Sequence, residues 1–308
     1  MRSIVCAIVA AAALLVSAAA TQADRFALAI VRLDGRLVPF AAYDAGTWER
    51  AWPEPDRTVA AGTMPDSIAS VWQKRGEPVP LAWRVLPIAG GRTIAARVTG
   101  VDVAEAHCER QAALTTGLPP RKDNHHAQKM GVAIDADLPL GAIASVGASD
   151  PTWAAAAQVV GRTFDRLELA TALATGEVVA RETPAPVARI TALFREAAAP
   201  DSPLYFIAEK KFRTPRYPQD PTCGARTIVT GFLTRTPNGP LTLRDPRVFL
   251  TNCDAKTALR SIPLAALHTS DRVFWVLLQR GYESEAFAVA DIGPDEIRYP
   301  ISVRGGGC

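Results

Sequence analysis

No long apolar stretch interrupts this chain after its first two dozen residues, so nothing beyond them reads as a membrane-spanning helix. Histidine is scarce, with four copies, and no G-x-S-x-G elbow, C-x-x-C pair or H-E-x-x-H helix occurs. These absences remove the motif-level signatures of a serine hydrolase, a thiol oxidoreductase and a zinc protease. His107, His125, His126 and His268 have no motif-level Ser or Asp partner, and adjacent His125-His126 reads as an exposed loop after Pro119-Pro120. His107 beside Cys108 lacks the repeated spacing of a metal site. No metal or other cofactor is expected.

Charge excess is missing too. A net charge of +3 gives no support to a nucleic-acid partner, and only six of the 34 basic residues are lysine. That ratio reads as genome composition, so isolated arginine pairs are not promoted to phosphate sites.

What is present begins with the amino terminus. Arg2 supplies a positive start, Ile4 to Val16 is almost continuously apolar, and small residues fill Ser17 to Ala23. About 20 apolar residues would be needed to span a bilayer. The shorter run predicts a cleaved signal peptide over residues 1–23, with Thr21-Gln22-Ala23 preferred over Ala18-Ala19-Ala20 as the cleavage region. Residues 24–308 are then expected to form a single β-rich domain, periplasmic or secreted, with no transmembrane span after cleavage.

Cys108, Cys223, Cys253 and Cys308 remain in that mature part. An even number in an oxidising compartment predicts two disulfides. Three connectivities are open. Cys223 with Cys253 and Cys108 with Cys308 is the preferred set, because the first pair flanks one apparent hairpin.

The fold class predicted is mainly β: antiparallel strands with one or two packed helices, or else α+β. Asp34-Gly35 between Phe26–Leu33 and Arg36–Tyr43 suggests a type I′ hairpin, and Gly90-Gly91 marks a second between Leu81–Pro87 and Arg92–Thr99. Strands are also expected over Tyr205–Phe212, Thr227–Arg235, Leu241–Thr251, Val273–Arg280, Ala286–Ile292 and Ile297–Val303, with a turn at Asn238-Gly239. Asp150 followed by Pro151 predicts a helix start, and Gly176 its end. Trp153, Ala157, Val160, Phe164 and Leu167 line one face of it, with Asp165, Arg166 and Glu168 largely off that face. A second helix is expected over 103–115 and a helical turn over Ser67–Gln73, while 187–196 fits either period.

The opening hairpin Ile30–Phe40, the Asn252-Cys253-Asp254 step, Val273-Phe274-Trp275-Val276, Gly281-Tyr282-Glu283-Ser284-Glu285 and the ending Gly305-Gly306-Gly307-Cys308 together resemble a family of uncharacterised exported bacterial proteins. The resemblance implies export and transfers no functional residue.

Three groups of residues are candidates for chemistry. Trp48, Trp52, Trp72 and Trp83 could stack on sugars, although buried packing explains them as well. Lys210, Lys211, Arg213 and Arg216, interleaved with Phe212 and Tyr217, could meet an anionic envelope polymer, or could protect an edge strand. Glu283, Glu285 and Asp291 could supply the paired carboxylates of an envelope polysaccharide hydrolase, against the simpler reading of acids beside a hairpin turn. A non-catalytic protein that binds or scaffolds an envelope polymer or protein is the leading expectation, and that hydrolase is the alternative.

Overall fold

A computed structural model describes residues 25–58, 79–88, 90–120, 129–177, 179, 181–215, 223–235, 239–256, 258–293 and 295–308. The proposed signal segment, the Ser67–Gln73 turn, Trp72, His125, His126, Arg216 and Asn238 lie outside the described residues. The contacts divide the chain into two compact units, Met1–Leu140 with Leu267–Arg272, and Gly141–Ala266 with Val273–Cys308. Both are antiparallel β structures, and one helix occurs among the described residues, so the protein is mainly β.

The first unit contains β1 (Arg25–Arg32), β2 (Leu37–Asp44), β3 (Thr47–Arg50), β4 (Ala82–Pro87), β5 (Ile94–Ala106), β6 (Glu109–Thr116) and β7 (Lys129–Ile134). Their order is β1-β7-β4-β5-β6-β2, and β2 pairs back on β1, which closes a six-stranded barrel with β3 appended to β2. The interior of so small a barrel has little volume. Nine alanines therefore share the core with Trp52 and Trp83: Ala27, Ala29, Ala42, Ala51, Ala96, Ala104, Ala112, Ala113 and Ala133.

The alanine-rich segment 103–115, expected as a helix, is the β5–β6 hairpin, in which Ala106 faces Glu109 and His107 takes a left-handed turn conformation with φ 59°. Alanine favours helices in isolation, but here strand pairing overrides that preference and buries Ala104, Ala106, Ala112 and Ala113 on the two faces of the hairpin. The first hairpin differs in detail as well. Only Gly35 is left-handed, with φ 79°, and Arg32 pairs with Arg36 across a three-residue loop in place of a type I′ turn. A Cβ on Gly35 would meet the Leu118 carbonyl oxygen at 2.4 Å, so glycine is required there.

The second unit comprises β8 (Leu140–Ser145), α1 (Pro151–Thr175), β9 (Arg189–Glu196), β10 (Leu204–Pro215), β11 (Gly224–Arg235), β12 (Leu241–Thr251), β13 (Arg260–His268), β14 (Val273–Arg280), β15 (Ser284–Ile292) and β16 (Ile297–Gly307). Nine strands run β12-β11-β10-β9-β8-β13-β14-β15-β16. The sheet curls into a half-barrel, and the ambiguous 187–196 segment is resolved as β9.

Helix α1 starts where Asp150 Oδ1 accepts the Thr152 N–H at 2.8 Å, with Pro151 in the first turn, and it ends at Gly176, φ 69°, whose N–H bonds to Ala172 O. Its apolar side packs with Phe206, Val229 and Leu233. The buried spine is Ala156, Val160, Phe164, Glu168 and Ala172. Glu168 is thus turned inward, contrary to the sequence expectation. On the opposite sheet face Tyr205, Phe232, Trp275 and Leu277 fill the concave side of the half-barrel.

Candidate functional site

At one end of β4 the barrel surface opens into a groove of about 450 Å³. The register places it: Ala82 faces Arg97 across the β4–β5 pair, and Arg84 faces both Ala95 on β5 and Ile134 on β7. Strand alternation then puts Arg84 on one surface while Trp83 and Val85 point to the core. Buried Ile134, on the same face as Arg84, lies at the base, exposed Leu81 and Ala95 flank it, and four charged residues, Arg84, Arg97, Asp135 and Asp137, line it.

Those charges are not equivalent. Arg84 Nη1 donates to Asp137 Oδ1, and also reaches the Leu138 carbonyl at 3.4 Å. Asp135 Oδ1 accepts the Ala27 backbone N–H at 2.6 Å, which commits it to holding β1. Arg97 is exposed and makes no ion pair among the described residues. The groove therefore offers one uncommitted guanidinium beside an apolar shelf, a donor fork matched to a carboxylate or phosphate.

The aromatic candidates take other roles. Trp52 is buried, and its indole N–H donates to Ala112 O at 2.7 Å, while buried Trp83 donates to Pro80 O at 3.0 Å. Neither presents an open face for a sugar, because burial of so large an apolar surface outweighs exposure. Trp48 is half-buried, edge-on to Phe26 at 5.5 Å and tilted against Tyr43 at 5.1 Å.

The basic segment separates by strand parity. Lys211 and Arg213 are exposed, and Lys211 pairs with Glu209 at 3.3 Å. Lys210 turns to the other face and is buried under α1, a correction to its expected surface role. Its Nζ lies 2.7 Å from both Glu168 Oε2 and Asp165 Oδ1, and Thr227 Oγ1 donates to Glu168 Oε1. The Phe164 ring sits 5.1 Å from the ammonium. Burial pushes the Lys210 pKa down, but the hydrogen bonds and charges of Asp165 and Glu168 outweigh it and hold the pKa above the ordinary lysine value. Lys210 thereby clamps helix to sheet.

The three acids do not gather around one point. Glu283 is exposed in the β14–β15 turn with φ 53°, Glu285 is buried opposite Arg280, and Asp291 lies half-buried opposite Phe274. Glu285 and Asp291 are six residues apart on one strand, roughly 20 Å at the usual rise. A glycosidase pair sits within about 5 to 9.5 Å.

Cys223 and Cys253 are joined, with Cα atoms 5.1 Å apart, and Cys108 and Cys308 are each disulfide-bonded. Among the described residues no helix is long and apolar enough to cross a membrane. The groove residues Arg84, Arg97, Asp135 and Asp137 carried no signal in the sequence, since only the pairing of β4 with both β5 and β7 brings them together. Comparisons with known proteins add no relative: no protein-family model, no curated protein and no solved structure matches this chain.

Proposed function

We propose that this chain is an exported, disulfide-stabilised binding protein of the cell envelope, and that the barrel groove takes an acidic polysaccharide of that compartment through Arg97. The observation that carries the reading is the uncommitted Arg97 guanidinium set among neutralised charges and an apolar shelf. A uronate carboxylate would pair with Arg97, and the aliphatic ring edge would lie on Leu81 and Ala95. Disulfide bonding of all four cysteines beyond the leader, the apolar run ending in small residues at Ala23, and the resemblance to exported bacterial proteins support the compartment. No observation favours the hydrolase alternative, because its acids are dispersed along β15 and its turn.

Calorimetric titration with a uronic-acid oligosaccharide tests this reading. Wild-type protein should bind, Arg97→Gln should lose about tenfold or more in affinity, the worth of one charge-assisted bond, and Arg213→Gln should bind like wild type. Equal binding by wild type and Arg97→Gln would reject the groove.

A further inference from the structure

Among the described residues the nine-stranded sheet has two free edges, because β12 is hydrogen-bonded only to β11 and β16 only to β15. Side chains span the gap that backbone would close in a complete barrel. Tyr299 on β16 donates its hydroxyl to Asp245 Oδ2 on β12 at 2.7 Å. Arg247, also on β12, lays its guanidinium 4.1 Å from the centre of the Tyr299 ring and approaches Asp245 Oδ2 with Nε at 3.3 Å.

Local backbone serves this contact. The β11–β12 register slips between Thr230 and Phe232, leaving Asp245 and Pro246 as a bulge opposite Gly231. Asp245 there takes φ 44°, a conformation that side chains rarely adopt. A Cβ on Gly231 would lie 3.0 Å from Arg244 O and 3.2 Å from Asp245 O, so glycine leaves space for the bulge. A left-handed aspartate opposite a glycine re-aims the carboxylate toward Tyr299 in place of continuing the ladder.

Behind the seam lies a second group of polar atoms. Tyr205 bonds to Thr230 and Ser261, and feels the charges of Arg247 and Asp245. Deeper, fully buried Trp275 packs edge-on to Phe232 at 5.6 Å, and among the described residues its indole N–H has no acceptor. A buried donor left unmet weakens the closed state relative to any state in which water reaches it.

We propose that Asp245, Tyr299 and Arg247 form a latch, and that the half-barrel opens along the β12–β16 seam as a local unit, admitting solvent to the Trp275 indole. Three side chains make the polar contacts between the edges, whereas continuous backbone ladders hold β10, β11, β14 and β15 on both sides. Opening therefore breaks few bonds and leaves those ladders intact.

Site-resolved hydrogen exchange on the full mature protein tests the latch, with Tyr299→Phe as the main variant because it keeps the ring over Arg247 and removes only the hydroxyl. Amides of β12, on the opposite edge from the substitution, should exchange about tenfold faster, the cost of one charge-assisted hydrogen bond. The Trp275 indole proton should accelerate with them, while amides of β10 and β14 keep their wild-type rates. Asp245→Asn should reproduce the pattern. Unchanged β12 exchange in both variants, or equal acceleration throughout β10, β12 and β14, would overturn the proposal, the first because the contact holds nothing and the second because opening is not local.

Discussion

The two units close themselves by different means, and their interiors differ accordingly. In the first, a backbone ladder passes around six strands and returns to its start, and nine alanines share its buried core with two indoles. In the second, nine strands stop short of closure, one helix covers one face, and the concave side is filled by Tyr205, Phe232 and Trp275. Closure by backbone demands small side chains and tolerates no misfit. Partial closure leaves room for aromatic rings and makes buried polar contacts responsible for holding edges and helix in place.

That contrast can be broken most severely at Lys210. Lys210→Met would leave Glu168 buried without its cation, and should cost about 3–5 kcal/mol in chemical denaturation of the second unit's signals. Because the folded pKa of Lys210 is raised, its contribution is complete below the ordinary value of 10.5 and disappears as pH rises through the higher folded value. Wild type should therefore lose its advantage over the variant above about pH 10.5. A gap that stays constant across that range would remove the clamp from the explanation.

Replacing both Cys223 and Cys253 by serine comes next. The bond spans 30 residues of the half-barrel sequence, and its loss should cost roughly 3–4 kcal/mol on the chain-entropy view. A smaller effect would mean that β11 and β12 are held together by their ladder alone. In the barrel, Ala112→Leu should cost about 1–3 kcal/mol by overpacking, and a neutral outcome in thermal melts would show that the interior is not volume-limited. The smallest effect belongs to Asp150→Ala at the cap of α1. Hydrogen bonds from Thr152 hold the Asp150 carboxyl below its ordinary value of 3.8, so its contribution is present above that pH and fades as pH falls through the folded value. A slight fall in melting temperature at neutral pH should shrink toward zero in acid.

Local chemistry made part of this architecture legible. Asp150-Pro151 and Gly176 bracket α1 as expected, Gly35 and Gly90-Gly91 turn the first hairpins, and the Cys223–Cys253 bond follows from its flanking strands. Where the reading failed, strand pairing had overruled local preference: Ala104, Ala106, Ala112 and Ala113 look helical in sequence and are buried residues of the β5–β6 hairpin, Ala112 on one face and the other three on the opposite face. Glu168 was placed in water because a carboxylate ordinarily belongs there, yet Lys210, 42 residues later, supplies its partner. The groove was invisible for the same reason. Arg97 gains meaning only when β4, β5 and the turn after β7 meet around Trp83, the one groove residue singled out beforehand, and for stacking it does not perform.

The proposal of export into an oxidising compartment underlies the binding reading, and the intact mass of protein recovered from outside the cytoplasm tests it in one experiment. The expected product lacks residues 1–23 and one hydrogen from each of Cys108, Cys223, Cys253 and Cys308. A chain retaining its first residues, with every sulfur alkylated without prior reduction, would contradict it.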